Sequence, residues 1–181
     1  MDRPELPTRI RRIRASDGPV LRDLRLRSLT DSPEAFGQRA EDAATQTAAD
    51  WESAARVAAS GERRAWFLAE ATGGADDAAA RPATLGLVLG RRRPSDTLLI
   101  FSMWVDPAVR RSGLGRGLIE AAERWAGEWG ARRSVLWVFA TNEPALRFYG
   151  RLGFRLLSEG EDARTGAHYG AVAMEHRFDD A

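Results

Sequence analysis

The stretch from Val105 to Gly117, VDPAVRRSGLGRG, decides the fold of this chain of 181 residues. Before it, the apolar residues of Leu98–Val105 predict a strand, which Pro107 ends because proline has no N–H to donate to a neighbouring strand. After it, apolar residues recur every three or four positions from Leu114 to Trp129 and predict an amphipathic helix. The stretch is therefore a glycine-rich loop between a strand and a helix.

The sequence beyond this helix completes a crossover unit. Gly130 ends the helix, and the β-branched and aromatic residues of Ser134–Phe139 predict a strand buried on both faces. Strand, helix and strand over residues 98–139 form a right-handed crossover. This unit is the centre of an α/β layer structure with a mixed sheet.

The other elements are predicted around this centre, in a single domain that spans residues 1–181. Further strands are predicted at Arg9–Arg14, Ala65–Ala71, Thr84–Arg91, Phe154–Ser158 and His168–Arg177, with a polar loop between the last two. Helices are predicted from Ser16–Pro19 to about Leu29, at Thr47–Ala59, and from Asn142, which can cap a helix, to Gly153. Thr72–Pro82 is expected to be a long hairpin loop, and Arg91–Arg93 a solvated hairpin tip.

The composition excludes several classes of function. The chain is 44% hydrophobic and 29% charged and has no run of about 18 apolar residues, so we expect no membrane span. Met1–Thr8 lack the apolar run of a secretory signal, and the expected location is the cytoplasm. The absence of cysteine excludes disulfides, thiolate metal sites and a cysteine nucleophile. A formal charge of +1 argues against nucleic acid as a partner.

The loop Arg110–Gly117, RRSGLGRG, has the residues of a phosphate site. Backbone N–H groups and the helix dipole attract an anion, glycines let the backbone approach it closely, and arginines add positive charge. A dinucleotide fingerprint would require glycine where Leu118 stands, and a P-loop would require a lysine, of which the chain has none. The loop therefore suits a pyrophosphate and a ribose phosphate.

These residues resemble the acetyl-CoA motif of the GNAT superfamily of N-acetyltransferases, which is Arg/Gln-x-x-Gly-x-Gly/Ala after a strand that ends in valine. Arg110–Gly115 match this motif, and Val105 ends the strand. Asn142–Phe154 are similar to the second motif of the family, N-x-x-A-x-x-F-Y-x-x-x-G-F. Arg22–Gly37, which end in DSPEAFG, are similar to the first helix and turn of one GNAT branch, so the resemblance covers most of the chain.

The resemblance implies a mixed, mostly antiparallel sheet that is flanked by helices and splayed at a bulge between its central fourth and fifth strands. The pantetheine arm of acetyl-CoA would lie in this gap, bonded by unpaired backbone groups of Met103–Val105, and Asn142 would hold the coenzyme through its side chain. The residues expected to bind the coenzyme are Met103, Trp104, Val105, Arg110, Arg111, Ser112, Gly113, Leu114, Gly115, Arg116, Asn142, Ala145, Phe148 and Tyr149. No metal is expected, since His176 beside Glu175 lacks the spacing of a metal site.

The resemblance also implies a catalytic acid. Tyr149, about two helical turns beyond Asn142, would stand near the sulfur and protonate the departing thiolate. Several GNAT members use a glutamate on the fourth strand to remove a proton from the amine, whereas this chain has IFSM at Ile100–Met103 and no carboxylate there. The candidates for the base are Glu34, His168 and a water relayed by Ser102.

The predicted function is transfer of the acetyl group of acetyl-CoA to a primary amine by direct attack in a ternary complex. The alternative is a non-catalytic acyl-CoA-binding sensor or partner module of the same fold. The acceptor stays open between an amino acid, a polyamine, an antibiotic and a protein N-terminus, and Trp104 and Trp137 are candidates to line its pocket. We expect no nucleic acid or membrane partner, and a homodimer is compatible with the resemblance.

Overall fold

The computed structural model describes residues 7–72, 83–168 and 170–178. The strands are β1 (Thr8–Arg12), β2 (Arg64–Ala71), β3 (Thr84–Arg93), β4 (Thr97–Val105), β5 (Arg133–Phe139), β6 (Arg155–Leu157) and β7 (Ala171–Arg177). The helices are α1 (Gly18–Asp31), α2 (Ala40–Ala44), α3 (Ala48–Ser60), α4 (Leu114–Gly127), α5 (Glu143–Arg151) and α6 (Glu161–His168). Single 3₁₀ turns lie at Pro33–Ala35 and Pro107–Val109.

The strands form one sheet in the order β1-β2-β3-β4-β5-β7-β6. Neighbouring strands are antiparallel except β4 and β5, which are parallel, as expected for two strands joined by the crossover helix α4. The prediction of an α/β fold with a mixed, mostly antiparallel sheet flanked by helices is confirmed. The parallel pair lies in the middle of the sheet.

The sheet separates two hydrophobic cores. On one face α4 packs on β2, β3 and β4, and Leu118 is fully buried in this core. On the other face α1 and α3 pack on each other and on the sheet, and Leu24 is fully buried there. Side chains alternate along a strand, so Trp104 of β4 joins the α1 core, whereas its neighbours Met103 and Val105 pack on the α4 core.

The two central strands separate after a short paired segment. Residues 97–99 of β4 pair with residues 133–135 of β5, and beyond them β4 stays paired with β3 and β5 with β7. The register of β3 against β4 shifts between Leu87 and Leu89, where β4 holds one residue more than β3. Ser102 lies in this bulge with a φ of 53°. The predicted splay at a bulge is confirmed.

The C-terminal region differs from the sequence prediction. A polar loop is predicted before the last strand, yet Glu161–His168 form α6, and β7 begins only at Ala171. The Asp162 carboxylate accepts hydrogen bonds from both terminal nitrogens of Arg93 at 2.6 and 2.9 Å, and its backbone oxygen accepts one from Nε1 of Trp137 at 2.9 Å. The sequence EDARTGAH has too few apolar residues to show a helical stripe, so packing on β7 and the side-chain contacts with β3 and β5 fix this helix.

The arginines at residues 91–93 differ in their exposure, since Arg91 and Arg92 are exposed and Arg93 is half-buried. Arg93 pairs with α6, and the guanidinium groups of Arg91 and Arg92 lie over the rings of Phe101 and Trp129, 5.5 and 4.8 Å from the centroids. The prediction of a solvated hairpin tip therefore holds for Arg91 and Arg92 and is wrong for Arg93, because the partner of Arg93 comes from a distant part of the chain.

The short helix α2 has no counterpart in the sequence prediction, and the predicted loop Thr72–Pro82 lies outside the described residues from residue 73 onward. Within the described ranges, none of the helices combines the length and the apolar character that crossing a membrane requires.

Candidate active site

The separation of β4 and β5 opens a cleft of about 410 Å³. Residues 100–103 of β4 and 136–139 of β5 form two of its walls. Arg25 of α1 and residues 35–37 of the following turn close one side, and Tyr149 of α5 lies on another. The bulge and the splay of the strands therefore create the cleft.

The cleft passes through the sheet from one face to the other. Leu136 and Val138 belong to the core on the α4 face, while Phe36 packs against the core on the α1 face. Phe101 of β4 follows Ile100, and Trp137 of β5 lies between Leu136 and Val138, so both rings point away from the α4 face. The two rings stack with their centroids 5.9 Å apart. A ligand between the strands can therefore contact residues from both faces of the sheet.

Residues 110–116, called the anion loop below, comprise the turn before α4 and the first residues of that helix, and they offer backbone donors to an anion. Gly113 is the N-cap of α4, with a φ of 88° and no side chain to bond the first N–H groups of the helix, which also lack partners within it. Arg111 and Ser112 are exposed, and Arg111 has a φ of 70°. Arg116, the third residue of α4, is exposed as well. Arg116 lies 3.8 Å from the Glu120 carboxylate in an exposed ion pair. The N–H groups, the positive end of the helix dipole and the exposed arginine side chains suit a pyrophosphate.

Arg110, in contrast, is engaged within the protein. Its Nε donates to the backbone oxygen of Val105 at 3.0 Å, and its Nη2 pairs with the carboxylate of Asp31 at the end of α1. The same carboxylate oxygen of Asp31, Oδ2, accepts a hydrogen bond from Nε1 of Trp104 at 2.8 Å. Partial burial acts to raise the pKa of Asp31, but these hydrogen bonds, with one from Ser32, outweigh it and lower the pKa below its ordinary value. Arg110 therefore ties the anion loop to α1.

Of the two tryptophans considered for an acceptor pocket, only Trp137 lines the cleft. The Trp104 side chain is buried, with 5% of the residue exposed, in the core between α1 and the sheet. The alternation along β4 sends this indole away from the cleft, so that the backbone of Trp104, and not its ring, remains available to a ligand between the strands.

Gly115 packs against Met103 of β4 and Phe148 of α5. A Cβ atom at this position would lie 3.0 Å from Cε of Met103 and 3.0 Å from Cζ of Phe148, closer than ordinary packing allows. Because Met103 also lines the cleft, the anion loop adjoins the cleft on the α4 face.

Tyr149 combines burial with access to the cleft. Only 8% of the residue is exposed, and its ring makes edge contacts with Phe148 and Phe154 at centroid distances of 5.1 and 5.6 Å. Within the described ranges its hydroxyl makes no hydrogen bond, and burial raises its pKa above the ordinary value of 10. The hydroxyl therefore stays protonated at neutral pH and is available to a ligand in the cleft.

Asn142 lies at the start of α5 and also lines the cleft. Its Oδ1 accepts a hydrogen bond from the backbone N–H of Ala145 at 3.2 Å, which caps the helix as predicted. The amide nitrogen is not used in this cap, so it can donate to a ligand. Ala145 lines the cleft beside it.

The three candidates for the base have different positions. Ser102 lines the cleft. Glu34 is exposed on the 3₁₀ turn Pro33–Ala35, and residues 35–37 line the cleft. His168 is the last residue of α6, not part of the last strand, and its side chain lies outside the described part of the structure. The structure thus brings Ser102 to the cleft and Glu34 to its vicinity.

Arg25 is a site residue that the sequence reasoning misses. It lines the cleft although only 7% of it is exposed. A signal exists in the sequence, since Arg25 follows Leu21 by four positions and precedes Ser28 by three, which places a charged residue on the buried stripe of α1. Desolvation by burial lowers its pKa to about 10, so it is still charged at neutral pH.

The family comparison agrees with this geometry. The model of the acetyltransferase (GNAT) family matches residues 27–154, a range that contains β4, α4, β5 and α5. The chain therefore belongs to the GNAT family of acetyltransferases, as the sequence resemblance predicts.

Two curated relatives match parts of the chain. An uncharacterised N-acetyltransferase of Methanocaldococcus jannaschii is 44% identical over 55 residues, which cover 30% of this chain and 24% of that protein. The mycothiol acetyltransferase of Amycolatopsis mediterranei is 36% identical over 102 residues, which cover 51% of this chain and 33% of that protein. The matched region is thus about a quarter to a third of the length of these relatives.

Solved structures share the fold along nearly the whole chain. The PaiA N-acetyltransferase of Thermoplasma acidophilum in complex with coenzyme A has a TM-score of 0.70 and 14% identity, over 94% of this chain and 99% of that one. A GNAT acetyltransferase of Streptococcus pneumoniae has a TM-score of 0.70 and 22% identity, over 94% and 98% of the two chains.

Proposed function

We propose that this protein transfers the acetyl group of acetyl-CoA to a primary amine, by direct attack of the amine on the thioester in a ternary complex. The observation that carries the proposal is the cleft between β4 and β5, which joins the anion loop on one face of the sheet to an open pocket on the other. Acetyl-CoA has charged phosphates at one end and a thin arm with the thioester at the other, which suits this arrangement.

The coenzyme is expected to use mainly backbone groups. The pyrophosphate binds the first N–H groups of α4 and the side chains of Arg111 and Arg116. The pantetheine arm, which carries two amides, lies along β4 beyond Leu99, where β5 no longer pairs with it and the strand edge is open. A backbone N–H of this edge donates to the thioester oxygen as negative charge develops on it.

The reaction needs one acid and one exit for a proton. The amine nitrogen attacks the carbonyl carbon, the C–N bond forms, and the C–S bond breaks with its electron pair on sulfur. Tyr149 donates its proton to this sulfur, and the attacking nitrogen loses one proton to water or to a base, so that a neutral amide and a free thiol result. Tyr149 then recovers a proton from solvent. A free thiolate has a reference pKa near 8.5, but its charge is costly in a buried cleft, which favours protonation as the bond breaks.

The base shapes the choice of acceptor. Since residues 100–103 of β4 include no carboxylate, an acceptor that is already partly unprotonated has an advantage. An amine with a pKa near 10.4 is free to about 0.04% at pH 7, whereas an α-amino group with a pKa near 8 is free to about 10%. We therefore propose α-amino groups as better acceptors than lysine-like amines.

The test is thiol release from acetyl-CoA with single amines from four classes: L-amino acids, a polyamine, an aminoglycoside and a peptide with a free N-terminus. The expected result is release that requires both protein and amine, with an acetylated product in the mass spectrum. If acetyl-CoA binds but no amine class gives thiol release, the non-catalytic binding module is the better description.

A further inference from the structure

We propose that Arg25 binds a carboxylate of the acceptor, so that the substrate is a small amino acid with a free carboxylate and an apolar or aromatic side chain. This inference rests on the proposed acetyl transfer and names the substrate class of the same cleft. It is carried by a buried guanidinium that faces the cleft without a negatively charged partner.

The environment of Arg25 contrasts with that of another poorly exposed arginine. The Arg11 side chain, 15% exposed, pairs with the carboxylates of Asp17 and Glu70 at 2.5 and 2.6 Å. Arg25 is 7% exposed, and no carboxylate within the described ranges lies at ion-pair distance from it. A buried charge without a counter-ion is unfavourable, and such groups are usually kept for a ligand or a reaction.

The guanidinium retains donors for a ligand. Nε and Nη2 donate to Oε1 of Gln38 at 3.3 and 3.0 Å, and Nη1 makes a long contact of 3.5 Å with Oγ of Ser28. Of the five N–H groups, one on each terminal nitrogen therefore has no partner among the described residues. These two groups form the fork that binds a carboxylate through two parallel hydrogen bonds.

The guanidinium is also held in a fixed position. It lies 4.8 Å from the centroid of the Phe36 ring, and Gln38 anchors its other edge. A pre-positioned guanidinium loses little freedom when a ligand binds, which favours a small and specific ligand.

The position of Arg25 points to the acceptor and not to the coenzyme. Arg25 enters the cleft from α1, on the face of the sheet opposite to α4 and the anion loop. Among the described residues that line the cleft, it carries the only formal charge. The phosphates of the coenzyme have their own site at Gly113, so the anion that reaches Arg25 belongs to the second substrate.

The remaining walls restrict the rest of the acceptor. Phe36, Phe101 and Trp137 present aromatic surface on the same side of the cleft as Arg25, and the cleft volume of about 410 Å³ suits a small molecule. A ligand with its carboxylate on Arg25 and its amine toward Tyr149 places the amine near the thioester. A polyamine would instead bring positive charge to a buried cation.

The experiment compares matched acceptors in the unaltered protein. Thiol release is measured with L-phenylalanine and L-leucine, with their carboxamides, and with putrescine. We expect kcat/KM to be at least about 30-fold higher for each acid than for its amide, the loss typical of one missing partner in a buried charge pair. The amide has the less basic amine and thus more free base at neutral pH, so this comparison is biased against the expected result.

Variants of α1 assign the preference to Arg25. Arg25→Gln is expected to raise KM for the acids by about 30-fold or more and to leave the amides unchanged, since the lost interaction is uniform binding. Arg22→Gln, an exposed arginine on the same helix, is the matched control and should leave all substrates unchanged. Arg25→Lys, which keeps the charge but loses the fork, and Arg25→Met, which fills the volume, cover the case in which Arg25→Gln does not fold.

A second readout does not require turnover. Calorimetry is expected to detect binding of N-acetyl-L-phenylalanine to the unaltered protein with coenzyme A, and no binding of its carboxamide. Equal rates for acids, amides and putrescine, or an equal loss for acids and amides in Arg25→Gln, would overturn the inference while acetyl transfer stands. If acetyl-CoA does not bind and no amine gives thiol release, the proposed function is refuted. If N-acetyl-L-phenylalanine also does not bind, the role of Arg25 is overturned as well.

Discussion

Tyr149 is the side chain on which the proposed chemistry depends most directly. Tyr149 lines the cleft, and its ring makes edge contacts with Phe148 and Phe154. The ring contacts and the hydroxyl therefore serve different purposes, and a substitution that removes only the oxygen separates them.

Tyr149→Phe is expected to lower kcat on the order of 100-fold and to leave the affinity for acetyl-CoA almost unchanged, because a proton donor to the leaving sulfur acts in the transition state. The measurements are steady-state kinetics and direct coenzyme binding. Because burial raises the pKa of Tyr149 above 10, kcat of the unaltered protein should show no alkaline loss from this group below pH 10. An unchanged kcat in Tyr149→Phe would return the residue to a packing role.

The anion loop can be tested with two glycines that share a backbone conformation. Gly113 and Gly130 lie near opposite ends of α4 with φ of 88° and 80°, and a Cβ at either would meet no atom within 4 Å. Replacement by alanine should cost each about 1–2 kcal/mol of stability through backbone strain. Only Gly113→Ala should weaken acetyl-CoA binding, by about tenfold or more, because it disturbs the donors at the start of α4.

Gly130→Ala is the control for backbone strain. An equal effect of both variants on coenzyme affinity would mean that the anion loop is not the phosphate site. Gly115 is a poorer test, because any side chain there would collide with Met103 and Phe148 and would disturb packing as well as binding.

The base is tested at Glu34 and His168. If either provides it, Glu34→Gln or His168→Ala should remove an ionisation between pH 6 and 8 from the rate profile and lower activity on the order of 100-fold. Glu128→Gln, an exposed glutamate at the far end of α4, is the control for loss of a surface charge. If both variants keep a profile that follows only the acceptor's own pKa, neither residue is a dedicated base.

At the scale of elements, the end of α1 is connected to the anion loop. Asp31 accepts hydrogen bonds from Trp104 of β4 and from Arg110 of the anion loop, which lies 79 positions later in the chain. One carboxylate thus connects the helix that carries Arg25 to the strand and the loop expected to hold the coenzyme.

Asp31→Asn should therefore weaken both stability and coenzyme binding. We expect a loss of about 1 kcal/mol in the free energy of unfolding, since the ion pair is partly exposed, and a few-fold weaker acetyl-CoA affinity. The folded protein lowers the pKa of Asp31 below the unfolded value near 3.8. The stabilisation by Asp31 is therefore complete above pH 3.8 and is lost as the pH falls through the folded pKa. The difference in unfolding free energy between Asp31→Asn and the unaltered protein should thus be constant between pH 5 and 8. Asp23→Asn, which removes only an exposed ion pair with Arg27 on the same helix, should cost no more than about 0.5 kcal/mol and leave coenzyme affinity unchanged. Denaturant melts at several pH values and calorimetry provide the measurements.

At the scale of the molecule, binding of acetyl-CoA links the two halves of the sheet. β4 and β5 share only three residue pairs, so a coenzyme between them would add contacts that the unliganded sheet lacks. Acetyl-CoA at about 100 times its Kd should stabilise the fold by about 2.7 kcal/mol and raise Tm by roughly 5–10 °C. Thermal melts check this, with ATP as a control for phosphate binding alone. Well-folded protein without a shift at millimolar acetyl-CoA would contradict the coenzyme site.

The sequence alone determined the parts of the protein that depend on local order. The strand before Val105, the glycine-rich loop and the amphipathic helix from Leu114 are contiguous, so their patterns predict an anion site without knowledge of the rest of the chain. The cap at Asn142 is equally local, and the structure contains it. The splay of β4 and β5 was implied by the family resemblance of these local motifs, and it is confirmed.

Only the tertiary structure decided which side chains meet across the sheet. The burial of Arg25, the pairing of Arg110 with Asp31, the indole of Trp104 turned away from the cleft and the helix α6 fixed by Arg93 all depend on strand order and register. A charged or aromatic residue has the same local pattern whether its partner is water or a group many positions away in the chain. The position of such a residue is therefore settled by long-range packing, which places Arg25 in the cleft between the two separated strands, on the face of the sheet opposite the anion loop.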